Sequence, residues 1–339
     1  MQTRSPFGIA LTGSGSALPD VVLDNVALEQ LVETSDEWIA TRTGIRQRRL
    51  AQPQESLTQL AASAAERALA MAGLAATDID LILLATSTPD DLFGSAGAIQ
   101  GAIGASRAVA MDLTAACSGF AFGLVTAAQF LRSGVYQNAL LIGADVLSRW
   151  VNWSDRGTCI LFGDGAGAVV LQSVDLQDPA ARDGLLGFEL RSDGSMNRVL
   201  NLASTPIEQP LKSGTTVGQG NFQPITMNGQ EVYRFAVKRV PEAIEKALYR
   251  AELDSEAIDW LVLHQANQRI IDAVAQRLNI PSDKTISNLD RYGNTSAASI
   301  PIALDEAVRD GRIQAGQTLA LAGFGAGLSW GAVIVRWGR

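Results

Sequence analysis

The chain repeats itself at an offset of 179 residues, and this repeat limits the possible folds more than any other feature of the sequence. Residues 66–80, ERALAMAGLAATDID, align without a gap to residues 245–259, EKALYRAELDSEAID, and an apolar run follows each segment. The two copies also end alike, with GDGAGAVVL at 163–171 and GFGAGLSWGAVIV at 323–335. A period this long does not form a solenoid, so the repeat predicts two stacked copies of one α/β unit.

Local periodicity agrees with an α/β fold in which helices alternate with buried strands. Amphipathic patterns predict helices at 56–73, 118–133, 231–251, 267–279 and 300–311. Apolar runs that are too short for buried helices predict strands at 80–86, 108–113, 139–144, 259–264 and 318–323.

The polar stretch at 172–184 separates the two copies, so we expect an N-terminal half at 1–172 and a C-terminal half at 173–339. Duplicated halves place a functional site at the seam between them. Residues 204–230 are rich in glycine and proline and lack periodicity, so we expect them to lie over the surface near that site.

Composition excludes several classes of protein. A net charge of −8 and a pI near 4.8 make the surface repel nucleic acids and anionic membranes. The first residues, MQTRSPFGIALTGSGS, do not resemble a secretory signal, and no run reaches the roughly 18 apolar residues of a membrane span. Two cysteines are too few for a disulfide framework or a zinc site. We therefore expect a cytoplasmic protein with reduced thiols.

Cys117 lies where a buried strand turns through small residues directly into a helix rich in glycine and alanine. A helix N-terminus stabilises a thiolate, so this position predicts a lowered thiol pKa and a nucleophile. Most cysteines are instead small core residues, but the strand-to-helix turn favours the nucleophile here. Cys159 lies within an apolar β-type run and is assigned to the core.

His264, the only histidine, follows the apolar run WLVL, and Asn294 lies in a polar turn before another helix. A lone histidine is more often packed than catalytic, yet sites of α/β proteins form at such strand ends. Asn294 can equally be an N-cap. At the offset of 179 residues Ser296 is the counterpart of Cys117, so we expect symmetry to bring Asn294 towards the thiol.

At these positions the sequence resembles the β-ketoacyl-acyl-carrier-protein synthase III family over essentially the whole chain. The matching segments are DEWIATRTGIRQRR at 36–49, DLTAACSGF at 112–120, DRGTCILFGDGAGA at 155–168, HQANQRI at 264–270, DRYGNTSAASIP at 290–301 and GFGAGLSWGA at 323–332. The resemblance implies a thiolase-like fold, with duplicated α/β halves forming a layered αβαβα sandwich. It places the nucleophilic cysteine in the N-terminal half and the histidine and asparagine in the C-terminal half.

The resemblance also implies a catalytic set of Cys117, His264 and Asn294. Cys117 would take a short acyl group from acyl-CoA, and malonyl-acyl-carrier protein would then lose carbon dioxide and attack the acyl-enzyme. His264 and Asn294 would stabilise the enolate, and the backbone N–H groups of Cys117 and Ala326 would form the oxyanion hole. Many members carry glycine where Ala326 stands, and the donor survives that change if φ stays negative. Acyl-CoA is a substrate, so neither a cofactor nor a metal is implied.

Substrate contacts follow from the same resemblance. The implied CoA contacts are Thr34, Trp38, Arg42, Arg156, Gly157 and Asn267, with Trp38 and Arg156 on either side of the adenine. Gln230 and Tyr233 replace an asparagine and a phenylalanine of the family, and Phe324 matches an aromatic residue beside the histidine. Phe93 matches a residue that crosses a homodimer interface and closes the acyl pocket, which favours a short straight primer such as acetyl-CoA.

Carrier proteins are acidic, so an acidic enzyme needs a local basic patch to bind one. The implied docking segment is Gln265, Ala266, Asn267, Gln268 and Arg269, with weaker candidates at Arg234, Lys238, Gln276 and Arg277. A second cluster, Arg42, Arg46, Arg48 and Arg49, could instead meet the CoA phosphates.

Four other assignments are weighed against this one. An acyltransferase of secondary metabolism would pass the acyl group to another acceptor, but the intact HQANQR and GNTS motifs favour condensation. Chalcone-synthase-like enzymes lack this docking motif, and a thiolase needs a second catalytic cysteine, for which Cys159 is poorly placed. A non-catalytic partner subunit has no reason to keep the three polar residues at helix and strand ends.

Overall fold

The apolar runs of the sequence form the strands of two mixed sheets in the computed structural model, which describes residues 5–338. Residues 1–4 and residue 339 lie outside the described residues. The N-terminal segment considered in the sequence analysis begins with residues 1–4. The strands are β1 (Phe7–Ala17), β2 (Val22–Asp24), β3 (Gln47–Arg49), β4 (Leu81–Ala85), β5 (Val109–Leu113), β6 (Asn138–Val146), β7 (Asp164–Asp175), β8 (Leu185–Ser192), β9 (Leu200–Asn201), β10 (Ile207–Pro210), β11 (Thr216–Gln219), β12 (Thr226–Met227), β13 (Trp260–Leu263), β14 (Thr285–Ile286), β15 (Thr318–Gly325) and β16 (Ser329–Arg336).

The amphipathic patterns form helices close to their predicted bounds. In chain order the α-helices are α1 (Asn25–Leu28), α2 (Asp36–Thr43), α3 (Leu57–Ala72), α4 (Ala96–Ala102), α5 (Gly119–Arg132), α6 (Gly229–Ala251), α7 (Gln268–Arg277), α8 (Leu289–Tyr292) and α9 (Ser299–Arg309). Within residues 5–338 none of them is both long and apolar enough to cross a bilayer.

The two five-stranded sheets have the same strand order and the same strand directions. The first is β1-β7-β6-β4-β5, and the second, read from the same side, is β8-β16-β15-β13-β14. In each sheet one strand, β4 in the first and β13 in the second, runs parallel to both of its neighbours. The remaining pairs are antiparallel. This agreement in topology confirms the predicted duplication.

Five layers result from the way the helices cover these sheets. α5 and α9 lie between the sheets, where Leu124 and Leu304 pack with Leu141 of the first sheet and Leu321 of the second in one buried cluster. α3 covers the outer face of the first sheet, and α6 and α7 cover the outer face of the second. The molecule is therefore the layered αβαβα sandwich that the resemblance implied.

α3 shows how local sequence produces one of these layers. Ser56 and Gln59 form a capping box at its N-terminus, and Gly73 ends it in a left-handed conformation with φ of 68°. Leucine and alanine recur at helical spacing along one face and are buried against the first sheet.

The structural repeat departs by one residue from the constant offset in the sequence. β4 begins at Leu81 and β13 at Trp260, which keeps the offset at 179, but the helices α5 and α9, and the strands β6 and β15, begin 180 residues apart. A short 3-10 turn begins at Ala116 in the first half and at Ser296 in the second, with φ of 47° and 52°. Ser296 is therefore the counterpart of Ala116, and the prediction that it corresponds to Cys117 is wrong by one residue.

Candidate active site

Cys117 lies in the 3-10 turn that joins β5 to α5 and lines a cavity of about 800 Å³. The residue before it, Ala116, adopts a left-handed backbone conformation that costs a non-glycine residue roughly 1–2 kcal/mol. Such strain collects at functional sites, where the surrounding structure holds it in place. Cys117 itself is 8% exposed, so the cavity reaches a nucleophile that is otherwise buried.

Burial raises the pKa of Cys117 to about 12, and the nearby Asp145 carboxylate also raises it. The prediction of a lowered pKa in the free enzyme is therefore wrong. A helix N-terminus stabilises an adjacent negative charge by at most about 2 kcal/mol, whereas burying a thiolate costs more than that. The resting side chain is a neutral thiol.

His264 follows β13 and is held in place by two neighbours. Its Nδ1 lies 2.7 Å from the hydroxyl oxygen of Ser299, and its ring meets Phe324 edge-on at a centroid distance of 5.3 Å. Burial lowers the pKa of His264 to about 3, so its imidazole is neutral. The Ser299 oxygen also accepts from the backbone N–H of Gln265. When the Ser299 hydroxyl donates to Nδ1, the imidazole carries its proton on Nε2.

Asn294 lies in the turn before α9 and joins the two halves through its backbone. Its N–H donates to the carbonyl of Leu161, and its carbonyl accepts from the N–H of Gly163. Its Oδ1 accepts from the N–H of Ser296 at 2.9 Å, and the Ser296 hydroxyl lies 3.3 Å from Cys117 Sγ. The structure thus brings the turn of Asn294 to the thiol, as predicted, despite the error in the offset.

Ala326 lies in the turn between β15 and β16 and lines the same cavity as Cys117. Ala326 does not have a positive φ, so it meets the condition stated above for its backbone N–H to act as a donor. A Cβ atom at the neighbouring Gly325 would lie 2.6 Å from the backbone nitrogen of Cys117. Only glycine leaves the space in front of that N–H open.

The cavity wall is predominantly apolar and combines residues that are distant in sequence. Among its lining residues are Leu92, Leu147, Trp150, Phe162, Leu200, Phe222 and Ile225. Phe222 and Ile225 belong to the stretch 204–230, which confirms that this stretch lies near the site. An apolar cavity with a nucleophile in its wall suits the acyl chain of a thioester.

Sequence profiles of the 3-oxoacyl-[acyl-carrier-protein] synthase III family match residues 111–194 and, for its C-terminal part, residues 248–337. The β-ketoacyl-[acyl-carrier-protein] synthase III of a Nostoc species is 66% identical over 333 residues, which cover 98% of this chain and 99% of the relative. The chain belongs to the 3-oxoacyl-[acyl-carrier-protein] synthase III family. It is therefore an acyltransferase of the condensing type.

Other members agree over the full length. The β-ketoacyl-[acyl-carrier-protein] synthase III of Synechococcus elongatus is 64% identical over 337 residues, covering 99% of both chains. The crystal structure of 3-oxoacyl-[acyl-carrier-protein] synthase III from Aquifex aeolicus superposes with a TM-score of 0.87 at 41% identity, covering 97% of this chain and 100% of the other.

The residues predicted to contact CoA in this synthase III family member form a cluster around Trp38. The guanidinium carbons of Arg42 and Arg156 lie 4.9 Å and 5.0 Å from the indole centroid. Trp38 packs into the same apolar cluster as two lining residues of the cavity, Phe162 and Ile225.

The other predicted CoA contacts lie close to this cluster. Gly157 is exposed beside Arg156, and the Thr34 hydroxyl oxygen has no hydrogen-bond partner. Asn267 caps α7 through Oδ1 and donates from Nδ2 to the carbonyl of Arg42, so its amide already has a structural use.

Two of the predicted polar contacts are buried and unavailable to a ligand. The Gln265 side chain is 1% exposed, donates to the carbonyl of Leu263 and accepts from the N–H of Asn288, so it cannot face a carrier protein. Arg48 is fully buried and binds backbone carbonyls, and burial lowers its pKa to about 10. The suggestion that Arg48 meets CoA phosphates is wrong because it lies beneath the surface.

The remaining docking candidates lie on the exposed side of α6 and α7. The Arg269 guanidinium lies 5.7 Å from the Tyr233 ring, and Arg277 donates to the carbonyl of Lys238. These two contacts connect the helices, so the exposed cations Arg234, Lys238, Arg269 and Arg277 share one surface. Ala266 and Gln268 lie at its edge and are partly exposed.

Two further residues are placed as follows. Cys159 is fully buried in an apolar cluster, which confirms its assignment to the core. Phe93 is completely exposed and does not line the cavity of its own chain, although its neighbour Leu92 does.

Sequence reasoning missed Asp145 and Ser299. Both are buried polar side chains beside the site, and Asp145 is the last residue but one of the apolar strand β6. A carboxylate at the end of a buried strand is the signal that could have identified Asp145. Among residues 5–338 no three His, Cys, Asp or Glu side chains are grouped as metal ligands.

Proposed function

We propose that this enzyme condenses a short acyl-CoA with malonyl-acyl-carrier protein and releases carbon dioxide and 3-oxoacyl-acyl-carrier protein. This reaction initiates type II fatty acid synthesis. The observation that supports it best is the meeting of Cys117 with the turn of Asn294, since the Ser296 hydroxyl of that turn lies 3.3 Å from the Cys117 sulfur and both residues line the apolar cavity.

In the first step the Cys117 sulfur attacks the thioester carbonyl carbon, and the CoA thiolate leaves. The carbonyl oxygen becomes negative in the tetrahedral intermediate. The N–H groups of Cys117 and Ala326 are the candidate donors to it, and Gly325 leaves the first of them unobstructed. Removing one such donor from an enzyme lowers its rate by about 10²–10³-fold.

In the second step malonyl-acyl-carrier protein loses carbon dioxide, and the electrons of the broken bond form a thioester enolate. A neutral imidazole with Nε2–H and the amide of Asn294 can donate to that enolate oxygen without adding a proton to it. Because the pKa of His264 is depressed to about 3, the imidazole is a hydrogen-bond donor and not a source of protons near pH 7. The enolate carbon then attacks the acyl group on Cys117 and expels the Cys117 thiolate, which takes up one proton from solvent before the next turnover.

Acyl-CoA binding is proposed for the cluster around Trp38. An indole face and two guanidinium planes suit the flat adenine ring, and guanidinium groups also suit phosphates. The adenine would enter between Trp38 and Arg156, which lie in contact in this structure.

Carrier-protein binding is proposed for the α6–α7 surface of Arg234, Lys238, Arg269 and Arg277. The chain as a whole carries a charge of −8, so an acidic partner is repelled everywhere except at such a local patch.

A homodimer is proposed from exposed apolar residues at the edge of the first sheet. β5 is the edge strand, and its Val109 and Met111 are 45% and 37% exposed. Leu92 and Phe93 lie on the adjoining loop, which Asp112 of β5 holds through the N–H of Ser95. Burying this surface against a second copy would bring Phe93 to the partner, where a bulky ring limits the primer to a short chain such as acetyl.

The reaction also suits a reducing compartment, since its nucleophile must remain a free thiol. We therefore propose a cytoplasmic location.

Covalent acylation tests the central proposal directly. Purified protein is incubated with acetyl-CoA and its intact mass is measured before and after addition of malonyl-acyl-carrier protein. We expect one acetyl group per chain, which disappears as 3-oxoacyl-acyl-carrier protein forms. Cys117→Ala should abolish the labelling, and the matched variant Cys159→Ala should retain it.

Three outcomes would contradict parts of this proposal. Labelling of Cys117→Ala would exclude it as the nucleophile. An acetyl-enzyme that fails to react with malonyl-acyl-carrier protein would indicate a different acceptor. Faster acylation by branched or long acyl-CoAs than by acetyl-CoA would refute the preference for a short primer.

A further inference from the structure

The acylation step requires a proton acceptor that the proposed catalytic set of Cys117, His264 and Asn294 does not supply. With a pKa of about 12, only about 10⁻⁵ of Cys117 is thiolate at pH 7. His264 is a weak base with a pKa of about 3, and its Nδ1 is occupied by Ser299. The thiol proton must therefore move to another group before or during attack on the thioester.

The hydroxyl of Ser296 and the carboxylate of Asp145 lie next to the Cys117 thiol on its buried side. Ser296 Oγ lies 3.3 Å from Cys117 Sγ. The Ser296 side chain also lowers the pKa of Asp145, which is the effect of a hydroxyl that favours the ionised carboxylate. Asp145 is fully buried on β6, and its Oδ2 accepts from the N–H of Ala297. Its other oxygen accepts from Thr86, Ser87 and Thr88. The carboxylate is therefore fixed in position, with Ser296 between it and the sulfur.

We propose that Ser296 relays the thiol proton of Cys117 to the carboxylate of Asp145 during acyl transfer. The inference rests on the proposed function, because it concerns the first step of that reaction. The Ser296 oxygen takes the proton from Sγ while the Ser296 proton passes to Asp145. The sulfur electron pair then forms the bond to the thioester carbon. When the CoA sulfur leaves with its electron pair, the proton returns through Ser296 and yields CoA thiol.

The buried charge makes this route physically favourable. The hydrogen bonds that the Asp145 oxygens accept from Thr86, Ser87, Thr88 and Ala297 favour the ionised carboxylate. With Asp145 ionised, the site holds one negative charge on Asp145 before the transfer and one on Cys117 after it. No second charge is created in the protein interior, whereas thiolate formation beside an ionised Asp145 would bring two negative charges together. Burial raises the pKa of Asp145, which makes the carboxylate a better proton acceptor than an exposed aspartate.

The backbone of Ser296 is held in the conformation that this relay needs. Its φ of 52° is unfavourable for a residue with a side chain, and the Oδ1 of Asn294 stabilises it by accepting from its N–H. Three titratable groups approach the two turns at this seam: Cys117 before α5, Asp145 on β6 and His264 after β13. Ser296 contacts a reacting atom directly, and Asp145 acts through Ser296 as a positioning residue and proton acceptor.

Two substitutions of Ser296 separate the effect of its hydroxyl group from the effect of its strained backbone conformation. Ser296→Ala removes the hydroxyl and keeps the strain, and Ser296→Gly removes both. The matched control is Ser118→Ala, since Ser118 is equally buried, lies next to Cys117 and hydrogen-bonds only to the carbonyl of Ala115. Thermal unfolding establishes that each variant is folded.

The rate of acetylation from acetyl-CoA is measured by intact mass, together with condensation starting from enzyme that is already acetylated. At pH 7 we expect both Ser296 variants to acylate about 100-fold more slowly than wild type, in the range of general acid–base catalysis. Ser118→Ala should stay within a few-fold of wild type. Condensation from the acetyl-enzyme should change much less than acylation, because the thiol proton is already gone.

A pH profile distinguishes a relay from a structural role. Between about pH 6 and pH 9 the rates of the Ser296 variants should rise more steeply than that of wild type, since hydroxide must replace the missing relay. Asp145→Asn should show the same steep profile. A merely structural role would lower the rate by the same factor at every pH.

Wild-type acylation by Ser296→Gly, or an equal loss at every pH, would overturn the proposal. Failure of the proposed function is a different result, since it would appear as absent acetylation of the wild-type enzyme itself.

Discussion

The turn of Cys117 and its counterpart in the second half have nearly the same backbone but different chemistry. Each begins with a residue of positive φ, Ala116 or Ser296, and continues through a 3-10 turn into a central helix. The first turn carries the nucleophile, and the second carries the hydroxyls of Ser296 and Ser299 where the first has Ala116 and Gly119.

The strands that support the two turns differ in the same complementary way. Asp145 on β6 accepts from the N–H of Ala297, the residue that corresponds to Cys117. At the equivalent place on β15 stands Gly325, which leaves the N–H of Cys117 free to meet a substrate oxygen. The end of β4 is likewise Ala85, where the second half has His264. Duplication thus supplied one shape twice, and substitutions then divided nucleophile and hydrogen-bonding groups between the halves.

The largest effect is expected when His264 is replaced by alanine, the residue that stands at the equivalent position, Ala85, in the first half. His264→Ala should reduce condensation about 10³-fold, because a donor to the enolate is lost. Acylation of Cys117 by acetyl-CoA should remain within a few-fold of wild type. Comparing intact-mass labelling with carbon dioxide release tests this, and an equal loss of both steps would contradict the division of labour.

Adding a side chain in front of the Cys117 N–H should have the next largest effect. Gly325→Ala places a Cβ 2.6 Å from that nitrogen, and we expect acylation to fall about 100-fold. Gly323→Ala is the matched control, since its Cβ would face the carbonyl of Cys117 at 3.1 Å instead. If the control slowed acylation as much, packing and not the oxyanion would explain the result.

His264 also makes the stability of the protein depend on pH, whereas Ala85, its counterpart in the first half, has no titratable side chain. Its pKa is lower in the folded protein than in the unfolded chain, so its contribution to stability is present above pH 6.5 and is lost as pH falls towards 3. Between pH 7 and pH 5 the free energy of unfolding should fall by about 2 kcal/mol more in wild type than in His264→Ala. Urea unfolding at both pH values measures the difference, and parallel losses in the two proteins would exclude a depressed pKa.

The outer helices of the two halves differ in charge, and the smallest predicted effect concerns them. Arg269→Glu reverses a charge on the α6–α7 surface and should raise the KM for malonyl-acyl-carrier protein about tenfold, with acylation by acetyl-CoA unchanged. The matched control is Arg67→Glu on α3, which is exposed on the opposite outer face. An equal effect of both variants would indicate a response to net charge and not a docking site.

The sequence alone predicted the duplication, five of the helices and five of the strands. Together with the family resemblance it also named the candidate set Cys117, His264 and Asn294. Apolar periodicity is a local property, and the ends of strands and helices follow from neighbouring residues, so these features could be predicted without coordinates. The repeat also indicated that the turns of Cys117 and Asn294 meet, although a one-residue change in offset moved the exact counterpart from Cys117 to Ala116.

Only the tertiary structure decided the protonation states and the buried contacts. The thiol pKa depends on burial by both sheets and on Asp145, which comes from a different strand, and no local pattern contains that information. Gln265 and Arg48 resembled ligand contacts because their residue types suit such roles, but packing placed both beneath the surface. Local sequence selects where a side chain stands in its element, whereas its charge and its access to substrate are set by groups that are distant along the chain.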